Sequence, residues 1–193
     1  MTKLFRPVLL APLCGVLLFV ASQATGQEKK PDVIFVPTPQ AVVDKMLELA
    51  EVGPDDVHYD LGCGNGIIVV SAAKMGATST GFDVDPQRIR ETTENIKKNG
   101  VGDKAKVEQK DIFTLDLSGA DVITLYLLPS LNVKLIPQLE KLKPGARIVS
   151  HDFDMKGVKP EKVVKVKGPS REHTVYLWRA PLDKESASAE KSP

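Results

Sequence analysis

A glycine-rich stretch between two apolar segments constrains this chain more than any other feature. Residues 57–70 (VHYDLGCGNGIIVV) begin as an apolar run and end in an apolar pattern with helical spacing; between them stand Asp60, Gly62, Gly64 and Gly66. This order is typical of a strand, a tight loop and a helix, with the acid at the carboxyl end of the strand, where open α/β sheets bind ligands. Glycines at alternate positions allow a positive φ and a close approach of the backbone to a ligand.

The glycine spacing separates this loop from the dinucleotide fingerprint. That fingerprint is Gly-x-Gly-x-x-Gly, and its third glycine would fall at Ile67, whereas this chain reads Gly-x-Gly-x-Gly. A carboxylate before the first glycine repels a pyrophosphate and suits a ligand that carries an amine. Cys63, between the first two glycines, is small enough to fill the tight loop. A nicotinamide oxidoreductase is therefore the least favoured enzyme class.

Strand patterns and helix patterns alternate along the rest of the chain. This alternation predicts an α/β fold, a Rossmann-like, doubly wound and mostly parallel sheet with right-handed crossovers. Two further strand patterns, residues 162–167 and 173–178, predict a C-terminal antiparallel pair whose lysines protect an exposed edge. Strands are otherwise expected near residues 57–60, 78–83, 104–110, 121–128 and 146–153, and helices near residues 39–50, 67–75, 87–98 and 131–142.

Local signals predict where three of these helices begin or bend. Thr38 is expected to be an N-cap, with Pro39 at the first helical position. Asp85 is expected to cap the helix that Pro86 starts. Pro137 lies inside a helical pattern and predicts a kink or break there.

The segment from Tyr59 to Gly66 resembles the first motif of class I methyltransferases that depend on S-adenosylmethionine (SAM). The resemblance implies that SAM is the cofactor, held by Asp60 and the glycine loop. Asp83 ends the second strand about twenty residues after the loop, where a carboxylate can accept hydrogen bonds from both ribose hydroxyls. The resemblance also implies that Asp111 accepts from the adenine amino group and that Ile112 flanks the ring; capping of a loop is the alternative for Asp111.

Four shorter segments resemble a narrower group. They are residues 36–39 (VPTP), 124–129 (TLYLLP), 142–145 (LKPG) and 150–153 (SHDF). They look like the small protein-lysine methyltransferases that modify the ATP synthase c subunit and the adenine nucleotide translocase, together with their bacterial relatives. The resemblance implies a protein substrate, and membrane-associated proteins are among the targets that it allows. The sequence lacks Asn-Pro-Pro-Tyr, a motif of many methyltransferases that act on planar nitrogens, which argues against nucleobases and glutamine as targets.

Three residues are candidates for work on the acceptor amine. Tyr126 at the end of the fourth strand and Thr38 at the start of the first helix are expected to orient the amine. Asp152, near the end of the fifth strand, is the candidate proton acceptor. The alternatives are structural: a buried tyrosine whose hydroxyl bonds to the backbone, and an acid without a catalytic role.

The N-terminal residues 1–26 have the pattern of a secretory signal. Lys3 and Arg6 precede an apolar run, residues 8–21, and small residues predict cleavage after Ala24. The run is shorter than the roughly 20 apolar residues of a membrane span, so an uncleaved anchor is the alternative. Residues 27–181 are then the methyltransferase domain and residues 182–193 a disordered tail. Export conflicts with the cytoplasmic origin of SAM.

Composition narrows the choice of partners. The 193 residues include 26 Lys and Arg against 25 Asp and Glu, a net charge of +1, so no strong field attracts nucleic acid. The three histidines, His58, His151 and His173, show no metal-ligand spacing, and no metal is expected. A small-molecule methyltransferase and a non-catalytic exported SAM-binding module remain the alternative functions.

Overall fold

The computed structural model describes residues 35–185. The predicted signal segment and the end of the tail lie outside the described residues. The strands are β1 (Val57–Leu61), β2 (Thr78–Asp83), β3 (Ala105–Gln109), β4 (Val122–Leu125), β5 (Arg147–His151), β6 (Lys162–Lys167) and β7 (Glu172–Arg179). The helices are α1 (Gln40–Leu49), α2 (Ile67–Lys74), α3 (Pro86–Lys98) and α4 (Pro129–Leu139), and one 3₁₀ turn covers Ile112–Thr114.

All seven strands form one sheet in the order β3-β2-β1-β4-β5-β7-β6. The first five are parallel, while β7 is antiparallel to both β5 and β6. The predicted fold is confirmed, including the antiparallel C-terminal pair. The strand order reverses between β1 and β4, and the carboxyl ends of these strands define the crevice where such sheets bind ligands.

Helices cover both faces of the sheet. On one face, α1 and α2 pack against residues of β4, β5 and β7, with Val42 and Met46 fully buried, while α3 packs beside α2 through Ile96. On the other face, Leu135 and Leu139 of α4 pack into a cluster that includes the 3₁₀ turn. Every residue of β4 is buried, as expected for a central parallel strand.

The predicted cap at Asp85 is confirmed and the one at Thr38 is wrong, while at Pro137 the break does not occur and the kink stays a prediction. Asp85 caps α3, since its side chain accepts a hydrogen bond from the Gln87 amide at 2.8 Å. Thr38 does not cap α1: Pro39 holds the N-cap position, and the Thr38 hydroxyl lies 3.3 Å from Nδ1 of His151 instead. The helix α4 continues through Pro137 and ends two residues later, so no break occurs there.

Two backbone contacts lie just beyond the predicted domain boundary. Lys184 forms a β-bridge with Val158, and the amide of Glu185 donates to the Gly157 carbonyl at 3.0 Å. These two contacts join the start of the predicted tail to the segment around Gly157. No helix between residues 35 and 185 is both long and apolar enough to cross a membrane.

Candidate active site

A cavity of about 530 Å³ opens at the carboxyl ends of β1, β2 and β4. Nine of the eleven predicted site residues line it: Thr38, Asp60, Gly62, Cys63, Gly64, Asp83, Asp111, Ile112 and Tyr126. Gly66 and Asp152 are outside this lining. Chiefly apolar walls of the cavity come from residues that were not predicted as site residues: Phe35, Val36, Leu128 and Phe153.

The glycine loop needs its glycines for two different reasons. Gly62, Gly64 and Gly66 all have positive φ, at +79°, +55° and +77°. A Cβ at Gly64 would overlap the ring of Phe35, which covers the loop. A Cβ at Gly66 would overlap the side chain of Thr92 on α3. Gly66 therefore serves the start of α2 and its packing on α3, and its contact with the cofactor stays a prediction.

The carboxylate of Asp83 connects β2 to the glycine loop. Its Oδ2 accepts from the Gly64 amide at 3.0 Å, and its Oδ1 accepts from the Asp85 amide at 3.0 Å. Burial raises the pKa of Asp83 above its usual value, and the backbone hydrogen bonds oppose that rise. The arrangement fixes the carboxylate at the cavity wall.

Asp60 is the most deeply buried acid of the cavity, with 2% of its surface exposed. Its Oδ1 accepts from the Thr124 hydroxyl at 2.7 Å, and its Oδ2 has no hydrogen-bond partner among residues 35–185. Burial raises the pKa of Asp60 to about 7, against the lowering effect of the Thr124 hydrogen bond. A buried carboxylate oxygen without a partner is costly, and a cationic ligand in the cavity would satisfy it.

A buried polar chain stands behind Asp60. His58 lies 2.9 Å through Nε2 from the Thr124 hydroxyl and 2.7 Å through Nδ1 from the Ser79 hydroxyl. Because Thr124 donates its hydrogen to Asp60, it accepts from His58 Nε2–H, which leaves Nδ1 to accept from Ser79. Burial lowers the pKa of His58 to about 3, so the ring is neutral. The sequence contains one signal for this set of hydrogen-bonded side chains, a histidine inside an apolar strand pattern.

Asp111 has a structural role at the position predicted for the adenine contact. Its Oδ1 accepts from the Phe113 amide at 3.1 Å and so caps the 3₁₀ turn. Asp111 and the buried Ile112 both line the cavity. Capping and cofactor contact are therefore compatible at this residue.

Tyr126 lies on the side of the cavity where the acceptor amine is expected, here called the acceptor side. Its ring is next to a histidine. Its ring centroid is 3.9 Å from that of His151 and 6.1 Å from that of Phe153. Its hydroxyl interacts with Arg171, and burial raises the pKa of Tyr126 above its usual value. The ring thus lies beside two aromatic neighbours at the cavity wall.

Asp152 lies behind this wall, in a cluster that the sequence spacing did not indicate. Its carboxylate binds the Arg171 guanidinium and accepts from the Thr174 amide at 3.0 Å. Burial alone would raise the pKa of Asp152, but these hydrogen bonds outweigh it and lower the pKa to about 2. This acidic carboxylate lies outside the cavity lining, and its role as a proton acceptor stays a prediction. His151, Asp152 and His173 each offer one ligand-type atom within 4.8 Å of the others, contrary to the scattered positions in the sequence.

Residues 60–162 match the family model of the ANTKMT methyltransferase domain. The chain belongs to this family. A protein-lysine N-methyltransferase of Saccharolobus islandicus is 47% identical over 151 residues, which cover 77% of this chain and 94% of the relative. A ribosomal protein L11 methyltransferase of Desulfitobacterium hafniense is 32% identical over 117 residues, 60% of this chain and 38% of that protein.

A solved structure gives the same assignment of fold and cofactor. The crystal structure of an RNA methyltransferase from Salinibacter ruber, in complex with S-adenosyl-L-homocysteine, has a TM-score of 0.72 and 45% sequence identity. It covers 81% of this chain and 100% of that one. This member of the ANTKMT methyltransferase family is a SAM-dependent methyltransferase, as predicted.

The residues of the cavity fit SAM. The partnerless Oδ2 of Asp60 suits the ammonium group of the amino acid part, and the Gly64 position leaves no room for a side chain. Asp83 would accept from the ribose hydroxyls, with Asp111 and Ile112 at the adenine. When bound, SAM supplies an electrophilic methyl group on a sulfonium.

Proposed function

We propose that this methyltransferase transfers methyl groups from SAM to lysine side chains of a protein. The observation that carries the proposal is the 47% identity to the Saccharolobus protein-lysine N-methyltransferase, because the match extends over 94% of that relative. A shared substrate class is better supported by similarity along a whole domain than by similarity confined to the cofactor loop.

The acceptor side of the cavity supports this substrate class. Val36, Tyr126, Leu128 and Phe153 give it an apolar and aromatic wall, and Val36 and Leu128 are also exposed at the surface. Such a wall suits the four methylene groups of a lysine. It also removes water from the amine, which lowers the pKa of an amine and favours the neutral nucleophile.

Deprotonation is the chemical problem that the acceptor side has to solve. From a reference pKa of about 10.4, loss of the lysine proton at pH 7 costs about 4.6 kcal/mol. The subsequent in-line displacement depends mainly on positioning. We assign positioning to Tyr126 and Thr38, which both line the cavity. Asp152 acts from behind the wall, through its neighbours.

The test uses the full chain, SAM with an isotopically labelled methyl group, and a whole-cell extract separated into protein, RNA and small-molecule fractions. Label is expected in protein, on lysine, as read by mass spectrometry of digests. The Asp60→Asn variant, which keeps the shape of the side chain and removes its charge, should label nothing at low SAM concentration. Label confined to RNA or to small molecules would overturn the proposal.

RNA is the second candidate substrate, because the Salinibacter neighbour is described as an RNA methyltransferase. Against it stands the net charge of +1. Proteins that bind nucleic acid draw most of their affinity from phosphate contacts by Lys and Arg. The RNA fraction of the same assay decides between the two.

We also propose that residues 1–26 direct export or anchor the chain in a membrane, with a membrane-associated protein as the target. The support is the basic, apolar and small-residue order of that segment. Expression in the native host, followed by mass spectrometry of the N-terminus, tests it. A mature chain starting at Thr25 is expected for cleavage, and an intact N-terminus in the membrane fraction for an anchor. An intact chain in the cytoplasm would overturn both versions.

A further inference from the structure

We propose that Thr38, His151 and His173 form a proton relay that carries the acceptor lysine's proton from the cavity to the protein surface. The proposal rests on the proposed function and deepens it, since it names the residues that solve the deprotonation problem. The relay has three parts: a hydroxyl at the cavity wall, a buried imidazole, and an exit at the ion pair of Asp152 with Arg171.

The first part is the hydroxyl of Thr38. Thr38 lines the cavity, and its side chain makes no capping hydrogen bond to α1. Its Oγ1 lies 3.3 Å from Nδ1 of His151. A threonine that precedes a helix normally uses its hydroxyl on the first amides. Here the hydroxyl connects the cavity to a histidine 113 residues away in sequence.

The second part is the imidazole of His151, which is fully buried beneath the ring of Tyr126. While Nδ1 faces Thr38, Nε2 lies 2.8 Å from Nδ1 of His173 and 3.2 Å from Oδ2 of Asp152. An imidazole can take a proton at one nitrogen and release another from the opposite nitrogen. The orientation of His151 puts one nitrogen toward the cavity and the other toward the exit.

The third part is the exit. His173 Nδ1 lies 3.3 Å from Oδ2 of Asp152, and the carboxylate is paired with Arg171, whose side chain is 53% exposed. The Nε2 atom of His173 is buried and has no hydrogen-bond partner among residues 35–185. Buried polar atoms without a partner are uncommon in folded proteins. Because Nε2 has no acceptor among these residues, a proton that reaches His173 at Nδ1 leaves again through Nδ1 to Oδ2 of Asp152.

The ionic groups around His151 favour protons over a metal ion at this cluster. The groups that face it are Tyr126 after β4, Asp152 after β5, and Arg171 and His173 from the β6–β7 turn and β7. The Arg171 guanidinium already neutralises Asp152, so a cation would have to displace it. Burial lowers the pKa of His151 to about 4. The ring is therefore neutral at pH 7, and one of its two nitrogens can accept a proton.

The proton balance of the step is as follows. The ammonium of the acceptor lysine gives a proton to Thr38 Oγ1 as the hydroxyl's own proton moves to His151 Nδ1. The Nε2 proton of His151 passes to Oδ2 of Asp152, directly or through Nδ1 of His173, and leaves from there to solvent beside Arg171. The neutral amine then attacks the methyl carbon: the N–C bond forms, and the electron pair of the C–S bond stays on sulfur. The positive charge ends on the methylated amine.

The test compares single-turnover methylation by the full-length wild type, Thr38→Val, Thr38→Ser and His151→Gln between pH 7 and about pH 10. The acceptor is the protein band that the wild type labels most strongly in a whole-cell extract. At pH 7, Thr38→Val and His151→Gln should lose roughly tenfold or more of the rate. The loss should shrink toward none near pH 10, where the lysine loses its proton to water. Thr38→Ser, which keeps the hydroxyl, should stay near the wild type.

Controls separate the outcomes. Thr93→Val removes an exposed threonine hydroxyl of α3 that does not line the cavity, and should match the wild type at every pH. The affinity of each variant for S-adenosylhomocysteine should be unchanged. A loss for Thr38→Val that is equal at all pH values, or no loss, would overturn the relay alone. If the wild type labels no lysine, the proposed function falls and the relay falls with it. Should His151→Gln fail to fold, the Thr38 pair still decides.

Discussion

Thr124 donates its hydroxyl hydrogen to Asp60 at 2.7 Å, across the parallel pair of β1 and β4, with both side chains buried. The two residues are direct partners in the strand register. The hydrogen bond fixes one oxygen of the carboxylate, so the other oxygen is held at the cavity wall. The cofactor amine thus meets an acid whose position is set by the neighbouring strand.

The first prediction concerns Thr124→Val, which keeps the shape of the side chain and removes the donor. Loss of one hydrogen bond to a buried carboxylate destabilises the ionised carboxylate by about 1–3 kcal/mol, and its pKa rises further. Affinity for S-adenosylhomocysteine should therefore fall by roughly tenfold at pH 7, as read by isothermal titration calorimetry. Thr124→Ser keeps the hydroxyl and should bind within a few-fold of the wild type. Equal affinity of Thr124→Val and wild type would contradict the role of the hydrogen bond.

The second prediction concerns pH. Burial raises the folded-state pKa of Asp60 to about 7, above the value of the unfolded chain. The folded state then holds more protons than the unfolded state between about pH 4 and pH 7, so stability without ligand falls as pH rises through this window. Cofactor binding should strengthen over the same rise, because only the carboxylate pairs with an ammonium.

Thermal unfolding between pH 5 and pH 8 checks this prediction. The ligand-free unfolding temperature should decline with pH, and the stabilisation by S-adenosylhomocysteine should grow. Asp60→Asn, which cannot ionise, should flatten both trends. A ligand-induced shift that is constant across the range would show that Asp60 stays ionised throughout.

The third prediction separates two glycines that look equivalent in sequence. Gly66→Ala places a Cβ against Thr92 at a φ of +77°, so the variant should lose about 1–3 kcal/mol of stability. Its folded fraction should bind S-adenosylhomocysteine normally, because Gly66 does not line the cavity. Gly64→Ala should weaken binding as well, since its Cβ meets Phe35 beside the cofactor loop. Thermal unfolding measures the stability of both variants, and calorimetry measures their affinity for S-adenosylhomocysteine. Equal binding losses would contradict the distinction.

Local sequence patterns predicted the loop and the strand-end acids of the site. The side-chain contacts around them depend on tertiary structure. The glycine loop and the acid at the end of β2 are readable because strand, loop and helix signals are contiguous. The hydrogen-bonded side chains behind Asp60 depend on the register of three strands. His58 lies opposite Ser79, and Asp60 lies opposite Thr124. No spacing in the sequence encodes that register.

The acceptor side shows the same limit. Thr38 has a good local signal for a helix cap, yet its hydroxyl is near His151, because a tertiary partner competes with the first turn of α1. His151 and His173 come together only because β7 runs antiparallel beside β5. Asp152 was identified as an acid near the acceptor, but its pairing with Arg171 could not be foreseen from sequence.

The last prediction concerns Phe35, which covers the glycine loop. Its ring lies against Gly64, the Arg88 guanidinium is 4.6 Å from the ring centroid, and 38% of the residue is exposed. Because the ring is partly exposed, Phe35→Ala should change the unfolding temperature little. It should, however, open the cavity to water and speed release of S-adenosylhomocysteine. Stopped-flow displacement should show a several-fold higher dissociation rate with a nearly unchanged association rate. Arg88→Gln, which removes the cation above the ring, should give a smaller effect in the same direction. A Phe35→Ala variant that binds and releases the ligand like the wild type would mean that the ring only packs on the loop and does not retain the cofactor.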